Sequence, residues 1–295
     1  MNIAQVLRKY HTTVDQTDLK IVLGFIIKQS PEFIITYPEY KLSWWEMLRL
    51  KIALQRLKKN TPVNYIIGEK EFYGLRLEVT KNTLIPRPET EGLVELAKEI
   101  VSQITGPLNL YDIGTGSGNI IIALQKTLSR EKDISFWASD ISSSALKVAQ
   151  KNFRTHRQRS VRFLKGDLLK PYFSKKIIKQ ETLPLTDKSK TNLIIANLPY
   201  LSEEIYHTAS SKVKKYEPAS ALVAGKDGLD YYRKLLKELK EVAQKHTLPK
   251  TILLWEISPE QKISSAKMIK KFFPKAKLEY HRDLAGKWRV VVIFL

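Results

Sequence analysis

Four apolar segments, LNLYDIG, DISFWASD, SVRFLKGD and NLIIANLPY, carry Asp112, Asp140, Asp167 and Asn197 at their ends, at successive intervals of 28, 27 and 30 residues. Each interval is close to the length of one strand-helix unit. Helical stretches fill the gaps, Ile120 to Leu128 after the first segment and Ser142 to Phe153 after the second. The expected fold class is therefore α/β, built on a doubly wound parallel sheet. In such a sheet the carboxyl ends of the strands share one crevice. Four polar side chains, one per strand end, then converge on a single candidate ligand site. Farther on, Leu229 to Lys245 reads as a helix, TILLWEI as a strand and WRVVVIFL as another. Ser174 to Lys190, which carries several lysines and no clear period, reads as a surface excursion between the third and fourth strands.

A different pattern precedes this repeat. Ile3, Val6, Leu7, Tyr10, Leu19, Val22, Leu23, Ile26 and Ile27 recur at three and four residues, which is helical spacing. Asp18 suits the N-cap of the second helix, Pro31 and Pro38 interrupt the pattern, and Ser43 with Glu46 has the spacing of a capping box. The first sixty residues thus read as a small helical bundle. Tyr65, Ile66 and Ile67, then Phe72 to Leu75, then Leu77 and Val79 read as a short hairpin joining two domains. The expected division is a helical domain at 1–72, a hairpin linker at 73–83 and an α/β domain at 84–295.

Composition narrows the function classes. With 295 residues, 43% hydrophobic and 27% charged, the chain is long enough for a large core and is not a disordered or collagen-like sequence. The absence of cysteine excludes disulfides, a thiolate nucleophile and cysteine-ligated zinc. The five histidines are scattered without metal-ligand spacing, so no metal is expected. The apolar run Ile21 to Ile27, flanked by lysines, is far short of the roughly 18 residues that a membrane span needs. With no signal-peptide pattern at the N-terminus, a cytoplasmic protein is expected. Fifty Lys and Arg against thirty Asp and Glu give +20, which fits an acidic partner and equally fits a solvated lysine-rich surface.

The chemistry is carried by two short stretches. Asp112-Ile113-Gly114-Thr115-Gly116-Ser117-Gly118 follows a strand and opens a helix, where glycines let a ligand approach the backbone and the helix N-terminus offers amide donors. Asp140 lies 22 residues after Gly118, near the distance at which dinucleotide-type sites place the carboxylate that holds a ribose. The second stretch is Asn197-Leu198-Pro199-Tyr200. Its Asn side-chain oxygen and a backbone carbonyl before or at Pro199 can accept both hydrogens of a planar NH2 group. Pro199 fixes the turn, and Tyr200 offers a ring for a flat amide or base. Delocalisation makes such nitrogens poor nucleophiles. Holding both N–H groups toward an electrophile would localise the lone pair, which is catalysis by position and fixed dipoles. Asn and Pro are also common turn residues, so it is the pairing with the glycine loop that gives the tetrapeptide meaning.

The glycine loop followed by Asn-x-Pro-Tyr resembles the S-adenosylmethionine-dependent class I methyltransferases that act on a planar nitrogen. More narrowly, PVNYIIGEKEFYGLRLEVTKNTLIPRPETEGLVE is similar to the signature of the HemK/PrmC family, the N(5)-glutamine methyltransferases of peptide chain release factors. The similarity continues through YDIGTGSGNIIIAL, NLPYL, YEPASALVAGKDGLDYYRKLL, WEISPEQ and DLAGKWRVVV, and the RPETE block is specific to that family. The resemblance implies a Rossmann-like, mostly parallel seven-stranded sheet preceded by a small helical substrate-recognition domain. It implies S-adenosyl-L-methionine as cofactor and class 1 peptide chain release factors as protein substrate, with the glutamine of their Gly-Gly-Gln motif methylated and translation termination modulated. No membrane and no stable nucleic-acid partner are implied.

By the same resemblance, Gly114, Thr115, Gly116, Ser117 and Gly118 would line the cofactor's methionine and ribose. Asp140 would accept from the ribose, Asp167 and Leu168 would flank the adenine, and Asn197 would touch both cofactor and substrate. Leu198, Pro199 and Tyr200 would complete the glutamine pocket, with Asn197, Pro199 and Tyr200 as the catalytic set. Arg87, Glu89 and Glu91 would line the substrate side, although plain electrostatics also puts Glu89 and Glu91 at the start of a helix. The family usually has Pro where this chain has Leu198, and often an aromatic residue where it has Leu168. Asp227 reads as a turn residue, and Trp44, Trp45 and Trp137 as core or interface aromatics. The alternatives are an adenine-amino methyltransferase acting on RNA or DNA, whose acceptor is also a planar NH2, a nicotinamide-dependent oxidoreductase, and a non-catalytic cofactor-binding module.

Overall fold

The structure is a computed structural model that describes residues 1–128, 132–156, 160–174 and 183–295. Its N-terminal region winds into α1 (Ile3–Lys9), α2 (Gln16–Ile27), α3 (Pro31–Thr36), α4 (Trp44–Lys58) and α5 (Val63–Ile67). Ile3, Val6, Leu19, Val22, Leu23, Leu50 and Leu54 bury one shared core between them. The caps sit where backbone amides need acceptors. Ser43 and Glu46 form the expected reciprocal box on α4. On α2, however, the cap is Asp15, which accepts from the Asp18 amide at 2.9 Å. Asp18 therefore belongs to the first turn, where its charge favours the helix N-terminus. Pro31 opens α3 behind the Ser30 cap, a position where its missing N–H has no cost.

Tyr65 to Ile67 are helical, not extended. Gly68 ends α5 at φ +83, and the hairpin strands β1 (Glu69–Phe72) and β2 (Leu75–Glu78) follow. Tyr73 and Gly74 both take positive φ, as the tight turn of a two-residue hairpin demands. The hairpin thus occupies residues 69–78, ahead of the expected 73–83.

After a 3-10 turn at Pro88–Thr90 come α6 (Glu91–Gln103), β3 (Leu108–Ile113), α7 (Asn119–Thr127), β4 (Ile134–Asp140), α8 (Ser143–His156), β5 (Val161–Lys165) and α9 (Lys170–Phe173). The chain continues through β6 (Thr191–Ala196), α10 (Glu203–Thr208), α11 (Ser211–Tyr216), α12 (Asp230–Lys245), β7 (Thr251–Glu256), α13 (Lys262–Phe272), β8 (Lys277–Arg282) and β9 (Trp288–Phe294). The seven strands lie in the order β5-β4-β3-β6-β7-β9-β8. All pairs from β5 to β7 are parallel, and β9 runs antiparallel between β7 and β8.

Alternate residues of each central strand point to opposite faces, and both faces are covered. Leu110, Leu193 and Leu254 join one core layer, while Tyr111, Ile194 and Trp255 join the other. The strand order reverses between β3 and β6, so the crevice opens at their carboxyl ends. Part of the excursion expected at Ser174 to Lys190 lies outside the described residues. Within its described part, Lys188 and Ser189 are exposed as expected, but Leu183 to Leu185 turn inward: Leu185 is fully buried, and Asn109 and Asn192 donate to the carbonyls of Pro184 and Leu185.

One short helix joins the two parts of the molecule. In α11, the Tyr216 hydroxyl donates to the Lys59 carbonyl at 2.6 Å and Lys212 pairs with Asp18 of α2 at 3.2 Å. The next residue, Glu217, is buried and pairs with Arg87 at 2.6 Å. Among the described residues, no helix is long and apolar enough to cross a membrane.

Candidate active site

The carboxyl ends of β3, β4 and β6 and the β5–α9 turn surround a cavity of about 410 Å3, within the rough 300–1,000 Å3 of small-molecule sites. A larger open groove, about 790 Å3, runs between the helical bundle and the hairpin but contains none of the strand-end polar residues. We therefore place the chemistry in the smaller cavity.

Its floor is the glycine loop. Gly116, at φ +57, lines the cavity with a backbone conformation that L side chains rarely adopt, and a Cβ there would touch only the Gly114 carbonyl oxygen, at 4.0 Å. Gly114, at φ +73, would drive a Cβ to 2.8 Å from Leu198 Cδ2, so the loop and the tetrapeptide touch. Gly118 is different. It lies off the cavity wall, where a Cβ would meet Ala149 Cβ at 3.2 Å, and it serves the packing of α7 on α8. The loop also uses up its own amides. Gly114 and Thr115 both donate to the Ser139 carbonyl, Gly118 to the Thr115 carbonyl and Gly116 to Asp140. The amide-rich cradle expected from the sequence is thus mostly satisfied internally, and the cavity reaches the first turn of α7 at Asn119 and Ile120.

Asp140 caps β4 with each oxygen accepting one amide, Oδ2 from Gly116 at 2.9 Å and Oδ1 from Ser142 at 2.8 Å. A carboxylate oxygen has two lone pairs, so one on each remains for a ligand hydroxyl. Burial pushes the Asp140 carboxyl upward, against those two amides. Beneath the loop, burial pushes Asp112 up to about 7, although the Thr115 hydroxyl and the Ile121 amide favour its charged form. Its Oδ2 accepts from Thr115 at 2.6 Å, while Oδ1 completes no hydrogen bond of ordinary geometry.

Asp167 and Leu168 also line the cavity. Burial works against the Asp167 charge, but Lys234 and Lys170 outweigh it and hold the carboxyl below its usual value. Leu168 is buried at φ +49, a conformation that costs a side-chain-bearing residue about 1–2 kcal/mol and marks a strained turn beside the cavity.

Across from the loop stand Asn197, Leu198 and Pro199. Asn197 Nδ2 donates to Thr90 Oγ1 at 3.0 Å, which leaves Oδ1 for the cavity. Tyr200 is not part of the cavity lining. Its hydroxyl donates to Glu256 Oε1 at 2.7 Å, and burial with the adjacent carboxylate holds it well above the usual phenol value. Of the RPETE residues, Arg87 and Thr90 reach the cavity wall and Glu89 and Glu91 do not. Glu91 instead accepts from the Tyr73 amide at 2.8 Å and pins the hairpin turn to α6.

Several residues at the site escaped the sequence reading. Ile141 is 68% exposed beside Asp140, a large apolar side chain standing on the cavity rim. Its signal was an apolar residue directly after a strand-end carboxylate. Tyr231 sits in the first turn of α12, a helix the sequence showed without showing that its start meets the cavity, and the lip formed by Pro218, Ser220 and Ala221 comes from a segment with no periodicity to place it. Glu256 ends a fifth apolar strand on a polar residue, so the rule that found the other four would have found it. Among the described residues, no group of three or more His, Asp or Glu stands together as a metal site.

Chemically, the cavity offers a carboxylate for a diol, apolar walls for a flat ring, and an amide side chain in the tetrapeptide whose NH2 group is already engaged. No family model matches the chain. The chain is 35% identical to the release factor glutamine methyltransferase of Dictyoglomus turgidum, over 94% of this chain and 90% of that one. It is 33% identical to the same enzyme of Clostridium botulinum, over 97% and 94%, and 36% identical to that of Bacillus cereus, over 94% and 92%. Among solved structures, the hMettl16 catalytic domain in complex with MAT2A 3'UTR hairpin 1 matches with a TM-score of 0.54 at 13% identity, over 92% of this chain and 90% of that one. The same domain with hairpin 6 gives 0.52 at 14%, over 84% and 81%. At such identities these two matches show the fold, that of the class I methyltransferases.

Proposed function

The chain belongs to the release factor glutamine methyltransferase family, and from that premise we propose that it moves a methyl group from S-adenosylmethionine to the side-chain amide nitrogen of the glutamine in the Gly-Gly-Gln segment of class 1 release factors, in the cytoplasm. The observation that carries the reading is the placement of Asn197 Oδ1. Asn197 lines the same cavity as the glycine loop and Asp140, and with its NH2 group engaged by Thr90 the oxygen is the end left to accept, so a donor and an amide acceptor can meet there.

The residues present fit the cofactor. The free lone pairs of Asp140 match two ribose hydroxyls, Ile141 and Leu168 offer apolar faces to an adenine, and Gly116 leaves room for the backbone to be approached closely. When bound, the sulfonium supplies an activated methyl group and leaves as a neutral thioether, so the protein's share is orientation. Asn197 Oδ1 and a backbone carbonyl of the tetrapeptide hold the two N–H bonds of the acceptor amide, which aims the nitrogen lone pair at the loop. Leu198 keeps the backbone acceptor that a proline would carry there. Its side chain packs against Gly114, so acceptor strand and cofactor loop are set at a fixed separation.

The helical bundle is the proposed recognition domain for the rest of the release factor. Trp44 and Trp45 stand 68% and 67% exposed, and Leu48 and Ile52 continue that apolar face along α4. A surface like this marks a contact site more often than a solvent face. The deciding experiment incubates the protein with methyl-labelled S-adenosylmethionine and either release factor or bulk ribosomal RNA, read by mass spectrometry. One methyl on the Gly-Gly-Gln glutamine is expected. Label in RNA adenine with none on the release factor would overturn the reading in favour of the adenine-amino alternative.

A further inference from the structure

Glu256 sits at the carboxyl end of β7, buried and off the cavity wall, yet three of the four tetrapeptide residues are tied to it. Its Oε1 accepts from the Tyr200 hydroxyl at 2.7 Å and its Oε2 from the Thr90 hydroxyl at 2.8 Å. Its backbone carbonyl accepts from the Tyr232 hydroxyl at 2.7 Å, and Tyr232 in turn accepts from the Leu198 amide at 3.3 Å. Thr90 closes the third tie by accepting from Asn197 Nδ2.

We infer that Glu256 is a positioning residue that, through Thr90, dictates which end of the Asn197 amide faces the acceptor nitrogen. The argument is one of hydrogen-bond polarity. An ionised carboxylate can only accept, so the Thr90 proton must point at Oε2. The Thr90 oxygen then has only lone pairs to offer Asn197, and Asn197 must answer with its NH2 group. Its carbonyl is left for the cavity, where an incoming amide brings two donors. Burial, with the nearby Glu89 charge, raises the Glu256 carboxyl above its usual value, although the two hydroxyls and Arg289 work toward the ionised form. If the polarity of Thr90 were reversed, Asn197 would present NH2 to NH2. Outright removal of one such preorganised group typically lowers turnover by about a hundred- to a thousandfold, and misorientation of a group that stays in place by less.

The inference rests on the glutamine-amide reading above, and the test separates the two. Thr90→Val removes the relay at nearly constant volume, Thr90→Ser keeps it, and Glu256→Gln replaces an obligate acceptor with a group that can turn its NH2 toward Thr90. On a release factor that the wild type methylates, Thr90→Val and Glu256→Gln should each lower kcat by about ten- to a hundredfold with cofactor affinity by calorimetry unchanged, and Thr90→Ser should stay near wild type. The double variant Glu256→Gln/Thr90→Val should be no slower than Thr90→Val alone, because one residue acts through the other. Wild-type turnover in Thr90→Val, or losses that multiply in the double variant, would overturn the inference. Should Glu256→Gln fail to fold, the Thr90 pair decides alone. A wild type inactive on release factor would count against the substrate reading only. In that case, the Asn197 side-chain NH2 signals of nitrogen-labelled protein decide: unchanged in Thr90→Ser and shifted in Thr90→Val supports the polarity, and no shift in Thr90→Val refutes it.

Discussion

Replacing Gly228 with alanine should injure catalysis from outside the cavity, and the size of the injury follows from geometry. Gly228 has φ +72, and a methyl there would overlap the Tyr200 carbonyl oxygen and sit 2.9 Å from its carbon. Non-bonded carbons rest at about 3.5–4.0 Å, so the turn and the tetrapeptide must part by about an ångström. That movement also strips the Gln261 side chain of its bonds to the carbonyls of Tyr200 and Asp227, now 2.8 and 2.9 Å. The left-handed backbone costs about 1–2 kcal/mol for alanine and each lost hydrogen bond about 1 kcal/mol, roughly 3–4 kcal/mol together. A melting point lower by about 5–10 °C follows for a chain of this size. A misplacement of this order at a reacting group can cost about a hundredfold in kcat. Gly286→Ala is the matched control, since Gly286 has φ +75 with nothing near its missing Cβ. It carries the backbone strain without the collision. Differential scanning calorimetry and methyl-transfer kinetics on both variants test the reasoning, which fails if Gly228→Ala matches Gly286→Ala in melting point and turnover.

Asp140→Ala should weaken S-adenosylmethionine binding by about 10- to 150-fold, the worth of hydrogen bonds to a charged group, and calorimetry showing unchanged affinity would place the ribose elsewhere. The Asp112 carboxyl, raised by burial to about 7, binds a proton in the native state that the unfolded chain releases near its ordinary value. Stability should therefore fall as pH climbs from about 4 to about 7 and level off above, and Asp112→Asn should flatten that slope. Urea titrations of both proteins at about pH 5 and about pH 8 read the difference, and parallel pH profiles would refute it. Replacing Trp44 and Trp45 with alanine should raise KM for intact release factor several-fold while a short Gly-Gly-Gln peptide keeps its kinetics; equal effects on both substrates would remove α4 from recognition.

The repeat of strand and helix was legible because strands buried on both faces are written as apolar runs. The runs that end on Asp112, Asp140 and Asn197 announce their own polar tips. β8 was not legible. It lies at the sheet edge, alternates the polar Lys277, Glu279 and His281 with Leu278 and Tyr280, and so lacks an apolar run, as an edge that must not pair further requires. α10 and α11 are six residues each, too short for periodicity to speak. The cofactor side of the site was readable from spacing alone, whereas the partners of Glu91 and Thr90 lie 18 and 166 residues away and are set by tertiary contact. Asp18 shows the limit within a helix, because two acids three residues apart satisfy the same pattern and only one takes the extended backbone of a cap.

α11 leaves the bundle and the cavity lip with little freedom from each other. Lys212 and Tyr216 grip Asp18 and Lys59, and within two residues the chain becomes Pro218 of the lip. A protein that rests on the bundle while its loop enters the cavity therefore makes its second contact intramolecularly, at an effective concentration set by its own stiffness and not by its abundance. Free energy released at the first surface is then available to hold the glutamine in line, so a detached loop peptide loses rate as well as affinity. Under the recognition role proposed for the bundle, selectivity among the many glutamines of a cell would come from geometry that no short peptide reproduces.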